Sequence, residues 1–166
     1  HVTEEFQSRL RLKEEDSLDL RAQMLRKILH DAHGYDGDRE TYDDMQNANI
    51  IRVIERRRGL PVALGILYIH VARQMGWQAD GLNFPGHFIL RLEKGGGRLL
   101  IDPFAGGRDM QAADLRHLLK SIVGKGAELS HHYYEPVSNR DMLIRLQNNL
   151  KKRCVELEEY AQAILV

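Results

Sequence analysis

The sequence predicts an α+β domain, and three observations carry that prediction. Apolar residues recur at helical spacing over 18–32, 45–58 and 61–75. The pattern then shortens to segments over 79–84, 87–93 and 98–102, with strict alternation in the last two. Helical periodicity returns over 111–123, 139–152 and 155–165. Helices, a hairpin sheet and further helices describe a small antiparallel sheet packed on a central helix, flanked by N- and C-terminal helices.

Each element has a local reason. Residues 3–33 read as helical, with Leu18, Leu20, Met24, Leu25, Ile28 and Leu29 on one side and charges between them. Asp16 and Ser17 offer N-caps, and His33-Gly34 closes the helix. The stretch 45–58 carries Ile50, Ile51, Val53 and Ile54 and ends in Arg56-Arg57-Arg58-Gly59. Basic residues suit a last helical turn, and Gly59 suits the position after it. Pro61 fits the first turn of the next helix, where its missing N–H costs nothing. That helix is apolar on most sides and is expected to be the central buried one. Phe88, Leu90 and Leu92 share one strand face, while His87, Ile89 and Arg91 share the other. Gly95-Gly96-Gly97 is the hairpin turn.

Composition narrows the function. Lys plus Arg and Asp plus Glu both number 24, so the net charge of zero gives no electrostatic footprint for nucleic acid or a membrane surface. No apolar run is long enough for a membrane-spanning helix. The single cysteine, Cys154, excludes an internal disulfide and a multi-thiolate metal site, and it suits a reducing compartment. A cytoplasmic location is expected, with no cofactor and no metal. The chain begins at His1 and reads as a fragment, and Ile164-Leu165-Val166 reads as an apolar face awaiting another helix.

The informative block is Gly59 to Gly107. His87 opens one strand after Pro85-Gly86, and Asp102 closes its partner before Pro103. If Glu93 pairs with Arg98, Asp102 falls opposite Ile89, on the face of His87 and diagonal to it. Diagonal neighbours lie about 7–8 Å apart at Cα, within reach of a base-and-orienter contact. A one-residue slip would send Asp102 to the other face. An equally simple reading is a polar pair that ties two strands together. Other clusters are weaker. His131-His132 are adjacent and read as loop, and His30 and His33 lack an acidic partner. His70 reads as a core or rim histidine, and Lys94-Gly95-Gly96-Gly97 lacks the features of a phosphate loop. Arg56-Arg57-Arg58 can grip an anion or simply offset the helix dipole.

The run Asn47-Ala48-Asn49, then Glu55-Arg56-Arg57-Arg58-Gly59-Leu60-Pro61, then Asn83-Phe84-Pro85-Gly86-His87-Phe88 and Ile101-Asp102-Pro103-Phe104-Ala105-Gly106-Gly107, resembles the SirB-type transglutaminase-like proteins of bacteria. The tail, with Arg145-Leu146, Asn148-Asn149-Leu150 and Glu159-Tyr160-Ala161, resembles that family's entry into tetratricopeptide-type helices. The resemblance implies a papain-like transglutaminase core over 1–138 and the start of a tetratricopeptide-like region over 139–166. It also implies a Cys at a helix N-terminus, followed by His and Asp on neighbouring strands. Measured from Gly59 and from Gly76, the nucleophile position falls on Pro61, while His87 and Asp102 match the base and the orienter. Ala63 stands where relatives often carry Ser or Thr, and Cys154 reads as a buried structural thiol.

These features point to a non-catalytic transglutaminase-like domain that binds a protein or peptide. Its cleft is expected around Pro61, Asn83, His87, Asp102 and Phe104, with Asn47 and Arg57 as supports. Two alternatives stand beside it. In one, His87 oriented by Asp102 activates a water to hydrolyse an amide or ester. In the other, the pair is purely structural.

Overall fold

A computed structural model describes residues 16–165, so the helical reading over 3–15 and the last residue, Val166, lie outside the described residues. Helix α1 (Leu18–Leu25) starts where Ser17 accepts a hydrogen bond from the Leu20 N–H at 3.2 Å. It then widens into a π-helical stretch over Arg26–Ala32, a departure from the single helix predicted. Ile28 and Leu29 in this stretch are both buried in the core.

The segment 45–58 also departs from the single helix predicted. A 3-10 turn (Met45–Ala48) comes first, and Asn49 then caps a new helix α2 (Ile50–Arg56), its side chain accepting from the Ile51 and Arg52 N–H groups. The cap side chain interrupts the run because it satisfies backbone donors that a continuous helix would have used. Arg57, not Gly59, takes the left-handed position after the helix, at φ 59°. Its guanidinium donates to the His33 carbonyl at 2.8 Å. Gly59 instead lies in β2 (Arg58–Gly59), paired in parallel with β1 (Asp36–Gly37). A Cβ there would meet the two Val53 methyls at 2.8 and 2.9 Å, so close packing explains the glycine.

Helix α3 (Pro61–Gln74) has Pro61 in its first turn and is the central buried element. Five antiparallel strands follow in the order β6-β5-β4-β3-β7. They are β3 (Gln78–Leu82), β4 (Leu90–Lys94), β5 (Gly97–Asp102), β6 (Arg108–Asp109) and β7 (Pro136–Val137). The β4–β5 register is the predicted one, with Glu93 opposite Arg98 and Leu90 opposite Ile101. The two-residue edge strands β6 and β7 carry too few residues for any alternation to be read.

Helices cover both sheet faces. Phe88, Leu90, Leu92 and Ile101 join the main core with α1 and α3. Leu82, Ile89 and Met110 pack with Leu115 and Leu119 of α4 (Ala112–Val123) on the other face. Helix α5 (Asn139–Glu156) runs four residues beyond the predicted end, and α6 (Tyr160–Leu165) follows a turn with Glu158 at φ 61°. The extension holds because Arg153 and Cys154 are buried. Arg153 donates to the Tyr42 and Asp43 carbonyls, and Cys154 lies 3.7 Å from the Met45 sulfur. Among the described residues no helix is long and apolar enough to cross a membrane.

Candidate functional site

The connection from β3 to β4 turns at Pro85-Gly86 and delivers His87 just ahead of β4. Asp102 ends β5 and caps the 3-10 turn Pro103–Ala105. The predicted register brings the two together: His87 Nε2 lies 2.9 Å from Asp102 Oδ1. The same oxygen accepts the Phe104 N–H at 2.9 Å. The side chains are only 11% and 9% exposed. With the imidazole neutral, Nε2–H donates to the carboxylate and Nδ1 keeps its lone pair. Among the described residues Nδ1 has no hydrogen-bond partner.

Aromatic rings fix this pair from the side. Phe104 meets the imidazole edge-on at 5.8 Å and Tyr42 at 5.9 Å. Arg39 lies 4.9 Å over the Phe104 ring and donates to the Phe104 carbonyl at 2.7 Å. Behind the pair, burial raises the Tyr68 phenol pKa above its ordinary value, helped by the charges of Asp36, Asp31 and Asp102.

A cavity of about 190 Å³ opens beside His87, walled by Pro61, Val62, Phe88, Arg145 and Asn149 and bordered by Tyr42. Among the described residues no thiol and no Ser or Thr hydroxyl lines it. The Arg145 guanidinium donates to the carbonyls of Phe84 and His87 and lies 5.8 Å from the centre of the Phe88 ring. Burial pulls its pKa down from the usual arginine value, with Tyr42 opposing.

The sequence-nominated residues divide cleanly. Pro61 and His87 line the cavity, Asp102 holds His87 from below, and Phe104 packs against it. Asn83 points elsewhere, 2.6 Å from His132 Nε2, which is in turn held by Glu135 at Nδ1. Asn47 is buried beneath the 38–47 loop, donating to the Thr41 carbonyl at 2.6 Å and accepting from Arg56 at 3.0 Å. Arg57, exposed at the C-terminal end of α2, donates to the His33 carbonyl and does not line the cavity. Tyr42, Arg145 and Asn149 were not singled out for the cleft. Arg145 and Asn149 share a helix face at i, i+4, and that spacing was the available signal.

The loop that carries Tyr42 hangs on Asp38. Burial pushes the Asp38 carboxyl up, but the Thr41 hydroxyl and N–H, Asn47 and the Glu40 N–H outweigh it and hold the pKa at about 2. A pKa depressed below the ordinary 3.8 gives stability that is full above that value and is lost as pH falls towards about 2. Asp38→Asn is therefore expected to cost about 1–3 kcal/mol at neutral pH. It should also flatten the fall of Tm across that acid window, as thermal melts at stepped pH will read.

The strand predicted to open at His87 starts only at Leu90, so His87 sits in the bend before it. A buried helix whose first turn meets a His–Asp pair, with the Asp at a strand end and the His just ahead of its neighbour, defines the class of papain-like α+β folds. Within that class the chain belongs to the transglutaminase-like superfamily, whose family model matches residues 1–148. It is 37% identical over 134 residues to a UPF0162 protein of Xylella fastidiosa, covering 79% of this chain and 48% of that one. A UPF0162 protein of Vibrio cholerae is 32% identical over 139 residues, 83% of this chain and 51% of the relative. F-box only protein 21 of Mus musculus is 29% identical over 144 residues, 80% of this chain and 22% of the relative. The chain thus spans about half the length of the bacterial relatives it matches. No solved structure matches.

Proposed function

We propose that the domain is a non-catalytic, SirB-type transglutaminase-like module that binds a peptide segment of a protein partner in the His87 cavity. The carrying observation is Pro61 at the cavity wall, in the first turn of α3. The reaction class attacks through a thiolate at such a helix N-terminus. Proline supplies neither the attacking atom nor the backbone N–H that would steady an oxyanion there. In this reading α5 and α6 open a tetratricopeptide-like extension of the partner surface.

The second reading, hydrolysis by a His87-activated water, keeps support from the 2.9 Å bond to Asp102. One set of measurements separates the two. The purified chain is assayed with a glutamine donor plus amine, a model amide and a model ester, beside a peptide-array binding measurement. We expect no turnover, and saturable peptide binding that Asn149→Trp abolishes by filling the cavity. Turnover that disappears in His87→Ala establishes the hydrolase instead.

A further inference from the structure

We propose that the cavity beside His87 is a carboxylate subsite with Arg145 as its cation. The bound peptide then presents a free C-terminus or an acidic side chain there; this rests on the peptide-binding reading above. Among the described residues, every other arginine that is not exposed has its own carboxylate. Arg21 lies 2.6 Å from Asp16, Arg56 3.2 Å from Asp38, Arg91 2.7 Å from Glu93 and Arg153 3.3 Å from Asp43. Arg145 has none: its partners are two backbone carbonyls and an aromatic face.

Carbonyl dipoles orient a guanidinium without neutralising it, and a desolvated cation without a counter-ion is costly. Burial already disfavours the charged form of Arg145, and an anion in the cavity would reverse that. The two hydrogen bonds from Nη2 fix the plane of the guanidinium and leave donors on Nε and Nη1. Planar fork donors match a carboxylate. Beside them stands the N–H of Val62, which has no intrahelical acceptor in the first turn of α3. Asn149 also lines the cavity, with one amide hydrogen already given to the Arg145 carbonyl at 2.8 Å.

Size and charge select among anions. A volume of about 190 Å³ takes a carboxylate with a few carbons. The remaining walls combine apolar Leu60, Pro61, Val62 and Phe88 with the His87 imidazole and Tyr42. Among the described residues Arg145 is the one arginine or lysine in the lining, so it offsets a single negative charge and leaves a phosphate dianion undercompensated.

The test uses the whole chain and four short probes. Acetyl-Ala-Ala-Leu is compared as the free acid and as the C-terminal amide, and acetyl-Ala-Glu-Ala amide is compared with its Gln counterpart. Dissociation constants come from calorimetry, and the site from NMR shifts of the Val62 and Phe88 amides. We expect one carboxylate probe to bind about tenfold or more tighter than its neutral twin, the worth of one charge-assisted hydrogen bond. Which pair splits tells a C-terminus from an acidic side chain. Arg145→Lys should weaken that preference, and Arg145→Gln should abolish it. Because either variant can disturb the Phe84–His87 turn, the unmutated acid-against-neutral comparison decides. Equal affinity for acids and neutrals overturns the proposal while the peptide-binding reading stands. Displacement by inorganic phosphate at matched concentration also overturns it. Substrate turnover without peptide binding overturns the parent reading as well.

Discussion

Phe88→Ala is expected to unfold with about 3–5 kcal/mol less free energy than the parent, the range for emptying a fully buried aromatic site. Phe88 is fully buried in the main core between α3 and the sheet. Two glycines make room for it. A Cβ on Gly65, in α3, would stand 2.2 Å from the ring, and one on Gly81, in β3, 2.3 Å from it. The helix and the neighbouring strand approach so closely because neither carries a side chain where the ring lies. Collapse around an empty Phe88 site would need a buried helix and a central strand to shift together, so little of the cavity closes. A domain of this size has about 5–15 kcal/mol in total, so the loss is a large share of it.

The same geometry predicts the partner variant. Gly65→Ala gains about 1 kcal/mol of helix propensity. The overlap with the Phe88 ring is far too deep for a rotamer change to relieve, and overpacking costs more than that gain. In the double variant the ring is gone and the new methyl occupies its space. It should therefore be more stable than the two single losses add up to. Denaturant titrations of the four proteins close the cycle. Strict additivity would show that Gly65 and Phe88 are not packed as described.

How much of this the sequence carried depends on how local each signal is. Alternation set the β4–β5 faces, and one assumed pair, Glu93 with Arg98, fixed the register and therefore the His87–Asp102 contact. Pro61 in a first helical turn was readable because proline has few other places in a helix. The failures have equally local causes. Asn49 is one side chain that splits a helix-like run, and no periodicity records a cap. Arg57 takes a left-handed position that glycine was expected to fill near residue 59, because β2 claims Gly59 for sheet pairing. The end of α5 lies beyond Arg153, whose partners Tyr42 and Asp43 are more than a hundred positions away. Tyr42 was invisible for the same reason, and the i, i+4 spacing of Arg145 and Asn149 gave a helix face without saying what it faces. Each is ordinary in its own segment, and only tertiary packing places it beside His87.

Replacing Pro61 by cysteine is the variant in which site chemistry should change most. The new thiol would sit in the first turn of a 14-residue helix, at the wall of the cavity that His87 also lines. A helix N-terminus and an adjacent imidazole both favour thiolate, so its pKa is expected well below the ordinary value of about 8.5. The substitution also restores the backbone N–H that proline lacks. Its stability cost is small, about 0.4–1 kcal/mol, because it acts chiefly by freeing the unfolded chain. Pro61→Cys should therefore be alkylated by iodoacetamide at neutral pH about tenfold faster than a free thiol of unperturbed pKa. The native background is silent, since Cys154 is 1% exposed and packed on Met45. Adding Asp102→Asn should return the rate most of the way to that of an ordinary thiol, because the imidazole then loses the carboxylate that holds its Nε2 proton. A Pro61→Cys thiol that reacts at the ordinary rate, and is indifferent to Asp102, would mean that residue 61 does not address His87. The reading of Pro61 as the blocked nucleophile position would then be lost, and with it the reason for calling the cavity non-catalytic.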